Sequence, residues 1–482
     1  MPSKKVRIHF EGNTLECRPG TTVAAALWEN GVRHLSHSPK YGRPRGLTCA
    51  RGHCTACLMR VDQIPNVRTC ELTVREGMEV GRQEAGTFYA APMQKILATG
   101  SAFFPVGFYY KWFTRPPFLS RLFLDGIRPM TGVGRLPGGG SRPLALPPVT
   151  ETPASGAPTA TDLGRFDTVV VGAGPSGLHA AATATGRVLI LDDHRLPGGQ
   201  RHGALRRLAD QPDSNLTRFP VLKSLLDRIE KARNLADTRD DLTFLERTKA
   251  IAGYHPDRLV LRRDDLLQTV QFDNLVWAAG ALDTLGLFPG NDTPGVIGPR
   301  ALYRLLVRDG LGIEGRQVLV IGNGPDFWLS AALLDTTGAK FSLVPTGDGG
   351  GDEISAAVDL QWPLNTGLTL DGISERGEGR LQASFVAGSP GAGEAGTRLS
   401  MEADLAVICG RGKPAYDILY QLGANLKLQP DLGGFTLPLS DDPNDGEYVA
   451  VLSGGSRLVA IGEACGDLPG RHHVSADGVE KP

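Results

Sequence analysis

Four of the seven cysteines lie within residues 49–70 of the 482-residue chain. Their spacing is Cys49-x4-Cys54-x2-Cys57-x12-Cys70. A [2Fe–2S] cluster needs four thiolates around two tetrahedral irons, and C-x4-C-x2-C followed by a distant fourth cysteine is the plant-type arrangement. Small residues between the first three cysteines would let backbone N–H groups approach the sulfur atoms. The spacing therefore predicts that these four cysteines hold a [2Fe–2S] cluster.

A structural zinc site and unliganded thiols are the alternatives for this segment. Zinc sites usually combine two C-x2-C-like pairs, whereas this segment has one tight triplet and a distant fourth cysteine, so the spacing favours the cluster. The remaining cysteines, Cys17, Cys409 and Cys465, are scattered along the chain. We interpret them as small buried residues.

A glycine motif follows the apolar strand TVVV and opens an alanine-rich helix. Its members are Gly172, Ala173, Gly174, Pro175, Ser176 and Gly177. The first glycine would form the tight turn, the second would let the backbone approach a pyrophosphate, and the third would let the helix pack on the strand. The next strand, RVLILDD, ends in Asp192 and Asp193, where a carboxylate can accept from ribose hydroxyls. The motif predicts that this unit binds a dinucleotide.

Three later segments favour FAD over NAD as that dinucleotide. They are the Gly198-Gly199-Gln200 turn, the end of the strand NLVWAAGA at Ala279 and Gly280, and Gly462-Glu463 after a late strand. This set resembles the two-dinucleotide-binding flavoprotein fold, in which the last stretch returns to the first domain and contacts the ribityl chain. That fold usually has ATG and GD at these places, and here Ala279 replaces the threonine and Glu463 the aspartate. The resemblance implies bound FAD.

A second glycine motif, at residues 322–327, looks like the matching NAD(P) site. Phe327 stands in the place of the third small residue. The strand that follows ends KFSLVPTG, without a carboxylate for a ribose or an arginine for a 2′-phosphate. The favoured interpretation is a retained fold with weak or no nicotinamide binding, and NAD(P) stays open as a cofactor.

The elements around these motifs predict an α/β chain. Strands VRIHF and TLECR, closed by Gly12-Asn13, precede a helix at TTVAAALWENG that begins at Thr21 or Thr22. Strands CLMRVD and, after Pro65-Asn66, VRTCELTV follow the cysteines, and this order suits a ferredoxin-like β-grasp unit. The predicted segments are a cluster domain at 1–100, an aromatic segment and Pro/Gly-rich linker at 101–165, an FAD domain at 166–300 and 406–482, and a degenerate NAD(P)-like domain at 301–405. The fold class is thus a Rossmann-like two-dinucleotide-binding flavoprotein fold preceded by a β-grasp [2Fe–2S] domain.

Composition excludes several classes of protein. The net charge is -1 and no basic stripe carries interleaved aromatics, which argues against nucleic-acid binding. No apolar run approaches the roughly 20 residues that a membrane span needs. The N-terminus lacks the long apolar core of a secretory signal, so we expect a cytoplasmic protein without structural disulfides.

The cluster spacing, the segment FPVGFYYKWF, the linker and the GAGPSG unit together resemble one family. They are similar to the α subunits of heteromeric amine and amino-acid oxidases or dehydrogenases, which include sarcosine oxidase, opine oxidase, dye-linked proline dehydrogenase and hydrogen cyanide synthase. The resemblance implies a flavin-containing β subunit that oxidises a C–N bond, with further small subunits or an external electron acceptor as additional partners. No acid, base or nucleophile for catalysis stands out in this chain.

Three hypotheses follow for function. In the first, the chain is the FAD and [2Fe–2S] electron-transfer subunit of such an oxidoreductase. In the second, it is a self-sufficient NAD(P)H-dependent reductase that donates to an acceptor protein. In the third, it is a structural subunit that keeps its cofactor sites for folding.

Overall fold

The computed structural model describes residues 5–38, 43–83, 116, 118, 160–212, 214–254, 256–263, 266–347, 351–377, 379–387, 397–410, 412–429, 434–437, 448–451 and 456–465. Apart from residues 116 and 118, the aromatic segment at 101–125 and nearly all of the linker lie outside these residues. The described residues fall into two compact units. One unit joins Met1–Pro147 to Leu285–Cys409. The other joins Pro148–Thr284 to the residues from Gly410 onward. The segment boundaries predicted from the sequence stay predictions.

The N-terminal region is a small sheet with one helix. Its elements are β1 Val6–Phe10, β2 Asn13–Cys17, α1 Val23–Glu29, β3 Ser36–His37, β4 Pro44–Arg45, β5 Leu58–Val61, β6 Ile64–Arg68 and β7 Met78–Gly81. The five-stranded sheet has the order β2-β1-β7-β5-β6, and β1 and β7 run parallel. This is the predicted β-grasp arrangement.

The helix α1 begins at Thr22, one of the two residues predicted to cap it. The Thr22 hydroxyl accepts a hydrogen bond from the backbone N–H of Ala25, so one of the free donors at the helix start is satisfied. Six of the seven helical residues are buried, because the alanine-rich sequence gives a helix that is apolar all round.

Two local predictions in this region are wrong. The hairpin turn consists of Glu11 and Gly12, both with positive φ (48° and 86°), while Asn13 pairs with Phe10 as the first residue of β2. The strand predicted to start after Pro65-Asn66 instead contains both residues and ends at Arg68. Because β6 is an edge strand, the missing N–H of proline costs no ladder hydrogen bond on its open side.

The first nucleotide fold begins at Thr161, inside the segment predicted as linker. Its elements are β8 Thr161–Val171, α2 Pro175–Thr183, β9 Val188–Leu191, α3 His202–Ala209, a 3₁₀ turn Asn215–Arg218, α4 Pro220–Ala236, β10 Thr243–Leu245, β11 Thr248–Tyr254, β12 Arg258–Arg263, β13 Leu266–Trp277 and β14 Ala281–Leu282. Strands β8 and β9 with α2 form the predicted βαβ start.

The second nucleotide fold follows. Its elements are β15 Val296–Ile297, α5 Pro299–Tyr303, a π-helical turn Arg304–Arg308, β16 Gln317–Gly322, α6 Gly324–Asp335, β17 Lys340–Pro345, α7 Gly351–Asp359, β18 Leu368–Arg376, β19 Arg380–Ala387, β20 Arg398–Ala403 and β21 Leu405–Cys409. Four parallel strands have the order β15-β21-β16-β17, beside an antiparallel sheet β18-β19-β20.

The last described stretch returns to the first nucleotide fold. Its elements are β22 Lys413–Pro414, α8 Asp417–Gln421, β23 Lys427–Gln429, β24 Gly434–Thr436, β25 Tyr448–Val451, β26 Arg457–Ala460 and a 3₁₀ turn Gly462–Cys465. Strand β26 pairs in parallel with β13, which gives a parallel order β10-β9-β8-β13-β26. Ligands of such sheets bind at the carboxyl ends of the strands, and these ends carry the glycine motif, Asp192, Ala279 and Gly462.

No helix among the described ranges is long and apolar enough to cross a lipid bilayer.

Candidate cofactor sites

The four cysteines of the predicted cluster site lie together beside the N-terminal sheet. The sulfur of Cys49 is within hydrogen-bonding reach of Cys54 and Cys70, and Cys70 is within reach of Cys57. Cys57 and Cys70 are buried, while the other two are half-buried. The structure therefore brings together all four residues that the spacing selected.

Backbone N–H groups of the cysteine loop point at two of these sulfurs. The N–H of Arg51 donates to Cys49 Sγ at 3.4 Å, and the N–H of Gly52 donates to Cys70 Sγ at 3.3 Å. The loop achieves this with Ala50 and Gly52 in the left-handed region, at φ +48° and +73°. Donors aimed at sulfur stabilise thiolate and metal-bound thiolate.

The cysteines differ in acidity because they share hydrogen bonds. Bonds from Cys54 and Cys70 lower the pKa of the Cys49 thiol, and a bond from Cys70 lowers the pKa of Cys57. The same shared hydrogen bonds raise the pKa of Cys54 and of Cys70, so the four thiols form one coupled group. By contrast, burial raises the pKa of Cys17 to about 11, which keeps it a neutral thiol.

The first glycine motif forms a bare backbone surface at the end of β8. A Cβ on Gly172 would lie 2.2 Å from the carbonyl oxygen of Ala278, and a Cβ on Gly177 would lie 1.8 Å from that of Gly172. A Cβ on Gly174 would find its nearest neighbour, Gly199 Cα, only at 4.0 Å. Two glycines are thus required by packing, whereas the face of Gly174 is left open to a ligand.

Asp192 organises this glycine turn. Its Oδ2 accepts from the N–H of Ala173 at 2.6 Å, and its Oδ1 accepts from the N–H of His194 at 2.8 Å. The Nδ1 of His194 lies 2.9 Å from both Asp192 Oδ1 and Asp193 Oδ1. The carboxylate predicted to meet a ribose therefore also ties the turn to the next strand. Sequence reasoning missed His194, because nothing in its spacing sets it apart.

The segments that carry the remaining predicted residues are held by backbone hydrogen bonds and one ion pair. The N–H of Gly198 donates to Ala173 O at 2.8 Å, and the N–H of Ile461 donates to Trp277 O at 3.1 Å. Glu463 pairs with Arg201 at 2.7 Å, a contact that the sequence did not indicate. The predicted site residues that this one unit carries are Gly172, Ala173, Gly174, Pro175, Ser176, Gly177, Asp192, Asp193, Gly199, Gln200, Ala279, Gly280, Gly462 and Glu463.

The second glycine motif carries two buried side chains, Asp326 and Phe327, where the first motif has Ser176 and Gly177. Phe327 is fully buried and packs edge-on against Trp328 at 4.8 Å between ring centroids. The buried Asp326 accepts from the hydroxyl of Tyr303 at 3.0 Å and lies 3.7 Å from the guanidinium of Arg300. Asp326 is thus a buried, ion-paired carboxylate in the first turn of α6.

Comparisons with known proteins agree with these motifs. Residues 3–85 match the family described as "2Fe-2S iron-sulfur cluster binding domain". The α subunit of sarcosine oxidase from Rhizobium meliloti is 27% identical over 396 residues, which cover 79% of this chain and 36% of that protein. An opine oxidase subunit from Agrobacterium tumefaciens is 31% identical over 186 residues, which cover 37% of this chain and 36% of that protein. The chain thus spans little more than a third of the length of these two relatives.

One solved structure matches almost the whole fold. The crystal structure of L-proline dehydrogenase from P. horikoshii gives a TM-score of 0.58 at 16% identity and covers 96% of this chain and 69% of its own. The predicted fold class, a two-dinucleotide-binding flavoprotein fold preceded by a β-grasp [2Fe–2S] domain, is confirmed. The chain is thus similar in sequence to the α subunit of sarcosine oxidase and to a subunit of opine oxidase, and its residues 3–85 match a 2Fe-2S cluster binding domain.

Proposed function

We propose that this chain is the electron-transfer subunit, with FAD and a [2Fe–2S] cluster, of a heteromeric oxidoreductase. The complex oxidises the C–N bond of an amine or amino acid in a partner β subunit that carries its own flavin. The observation that carries the proposal is that one chain has both a cysteine loop with N–H donors at sulfur and an open backbone surface at Gly174 and Gly199. We call this surface the glycine cradle. The relatives named as subunits of sarcosine and opine oxidases supply the class of substrate.

The cysteine loop fits a cluster of two metal ions. Its sulfur contacts run in a chain from Cys54 to Cys49 to Cys70 to Cys57. The plant-type spacing of the four cysteines and the match of residues 3–85 to a 2Fe-2S cluster binding domain support these residues as ligands of a [2Fe–2S] cluster rather than of zinc.

The glycine cradle fits the pyrophosphate and sugar parts of FAD. Gly174 and Gly199 face one another as bare backbone at the start of α2, where the helix dipole favours phosphate. The side-chain oxygen of Gln200 is buried and has no hydrogen-bond partner among the residues that the structure describes. A buried polar atom of this kind calls for a ligand or water. The next residue, Arg201, pairs with Glu463 at 2.7 Å.

The proposed cofactors give this chain its role. When bound, FAD exchanges two electrons and a [2Fe–2S] cluster exchanges one, so a chain that holds both can pass on the electrons of an amine oxidation singly. The described residues contribute binding groups, and the amine site belongs to the proposed β subunit. Phe327, which stands in the second motif where the first has Gly177, supports this role over that of a self-sufficient NAD(P)H reductase.

The test is affinity purification of the full chain from its native host. We expect a second, flavin-containing subunit to co-purify, with a flavin spectrum and, after dithionite, the paramagnetic signal of a reduced [2Fe–2S] cluster. One of sarcosine, proline, an opine or glycine should bleach the flavin of the complex under anaerobic conditions. A chain that purifies alone, without colour, contradicts the proposal. Bleaching by NADH or NADPH without an amine would instead establish the reductase function.

Replacement of a ligand cysteine tests the cluster separately. Cys54→Ala should remove the paramagnetic signal and leave the flavin content unchanged, because the two predicted sites lie in different compact units. Cys17→Ala is the matched control, since Cys17 is a buried neutral thiol of the same domain. A full signal in Cys54→Ala would remove this residue from the ligand set. The cytoplasmic location stays a prediction that cell fractionation can check.

A further inference from the structure

An arginine of the second nucleotide fold contacts the cysteine loop. The Nη1 of Arg308 donates to the carbonyl oxygen of Ala50 at 3.4 Å, and Ala50 lies between Cys49 and the residue whose N–H reaches its sulfur. Arg308 is the last residue of the π-helical turn Arg304–Arg308, and such turns often occur at functional sites. Both segments belong to the same compact unit.

The next residue, Asp309, binds the guanidinium of Arg308 through both oxygens of its carboxylate. Asp309 Oδ2 accepts from Arg308 Nη2 at 2.7 Å, and Oδ1 accepts from Arg308 Nε at 3.2 Å. The Asp309 side chain is fully buried, whereas that of Arg308 is 36% exposed. The carboxylate therefore depends on Arg308 for its charge balance.

Asp309 also reaches the segment that carries the fourth cysteine. Its Oδ1 accepts from the N–H of Thr22 at 3.3 Å. Thr22 caps α1, and the next N–H groups of that helix donate to Leu72 O at 2.8 Å and to Thr69 O at 3.1 Å, on either side of Cys70. The Arg308–Asp309 pair is thus bonded on one side to the loop of Cys49 and on the other to the helix that holds Cys70.

We infer that the Arg308–Asp309 pair is a positioning device that sets the reduction potential of the cluster, an inference that rests on the proposed cluster. Arg308 acts in two ways. Its hydrogen bond supports the left-handed Ala50, which directs the N–H of Arg51 to sulfur. Its positive charge, close to a ligand cysteine, stabilises the reduced cluster, which carries one more negative charge than the oxidised form.

We expect the midpoint reduction potential of the cluster to shift in opposite directions when one or the other member of the pair is replaced. Arg308→Gln removes the cation and leaves the buried carboxylate of Asp309, so the midpoint potential falls. Asp309→Asn removes the anion and leaves the cation, so the potential rises. A loss of packing alone would move both variants in the same direction. The opposite signs are therefore specific to charge.

The experiment is a redox titration of the full chain, followed through the paramagnetic signal of the reduced cluster. We expect each variant to change the reduction equilibrium about tenfold, which is about 59 mV for a one-electron couple. Arg75→Gln is the matched control, because Arg75 is an exposed arginine of the same domain paired with Asp62 at 3.1 Å, and its potential should equal that of the wild type.

The outcomes separate this inference from the proposed function. A wild-type chain without the signal refutes the cluster, and with it the basis of the inference. A wild-type signal with equal potentials in Arg308→Gln and Asp309→Asn, or with shifts of the same sign, overturns the inference and leaves the cluster in place. Should Arg308→Gln lose the cluster, Arg308→Lys decides: a potential near that of the wild type supports the charge role, and a lowered potential refutes it.

Discussion

The two nucleotide folds of this chain can be compared at the glycine turn that each places after its first strand. Gly172 and Gly322 both have positive φ, +104° and +135°. A Cβ on either would strike the carbonyl oxygen at the end of a neighbouring strand, at 2.2 Å in Ala278 and at 1.9 Å in Cys409. At this position the two folds obey the same packing requirement.

The folds differ where a ligand would be held. In the first, Gly177 allows α2 to pack closely, and Gly174 exposes backbone at the helix start. In the second, Phe327 fills the third position and Asp326 puts a carboxylate in the first turn of the helix. The first glycine is therefore required by packing in both folds, and the two motifs differ at their later positions.

The largest effect on cofactor binding is expected at Gly177, and it tests whether the two glycine turns differ in function. Gly177→Ala would place a Cβ 1.8 Å from the carbonyl oxygen of Gly172 and push α2 away from the strand, at a cost of about 1–3 kcal/mol. We expect the purified protein to contain at least about tenfold less flavin, measured as flavin released per chain on denaturation, because the helix start would no longer meet the phosphates.

The matched variant in the second fold is Gly324→Ala. A Cβ there meets nothing within 4 Å, although φ is +75°. This variant should cost about 1 kcal/mol of stability and leave the flavin content unchanged. Equal flavin loss in both variants would mean that the two turns do not differ in function.

The sequence predicted the first motif well because its requirements are local. A strand, three glycines, a helix and a terminal carboxylate lie within residues 168–193, and each is visible in residue type and spacing. The four cysteines were equally visible. The two turn errors, at Glu11-Gly12 and Pro65-Asn66, came from pairing register, which depends on the partner strand rather than on the dipeptide.

Contacts between distant segments could not be predicted in this way. Arg308 and Ala50 are 258 positions apart, and Arg201 and Glu463 are brought together only when β26 returns beside β13. Arginine and glutamate are common surface residues, so their type carries no signal of a partner. Such pairs are fixed by topology, which one sequence does not reveal residue by residue.

An intermediate effect, on stability rather than on cofactor content, is expected at the carboxylate that distinguishes the second motif. Asp326→Ala removes the carboxylate that lies 3.7 Å from the buried Arg300 and should lower the free energy of unfolding by about 3–5 kcal/mol. The flavin content should not change, because Asp326 serves the second fold alone. Urea unfolding with flavin quantification measures both.

Tyr303→Phe is the control for this variant. It removes one hydrogen bond to Asp326, of 3.0 Å, and keeps the ion pair, so it should cost about 1 kcal/mol. If Asp326→Ala costs no more than Tyr303→Phe, the buried charge does not stabilise the second fold. If Asp326→Ala gains NADH binding as well, the carboxylate itself excludes the nucleotide.

The smallest expected effect is on the pH dependence of stability. It involves His202, a histidine that lies next to Gly198 in the first fold and has no counterpart in the glycine motif of the second. A Cβ on Gly198 would lie 2.4 Å from His202 Nδ1, whereas residues 322–347 of the second fold contain no histidine. Burial lowers the pKa of His202 below its usual value, and the cations Arg233 and Arg206 lower it further, against the opposing effect of Glu230. The native state therefore favours the neutral imidazole.

The sign of the pH effect follows from this direction. The unfolded chain binds a proton at His202 near pH 6.5, while the folded chain binds it only at lower pH. The stability associated with His202 is thus full above about pH 6.5 and is lost as the pH falls toward the folded pKa. Thermal unfolding at pH 7.5 and 5.5 should show a larger drop for the wild type than for His202→Gln, which cannot titrate. Equal drops would show that this histidine does not make the stability of the first fold depend on pH.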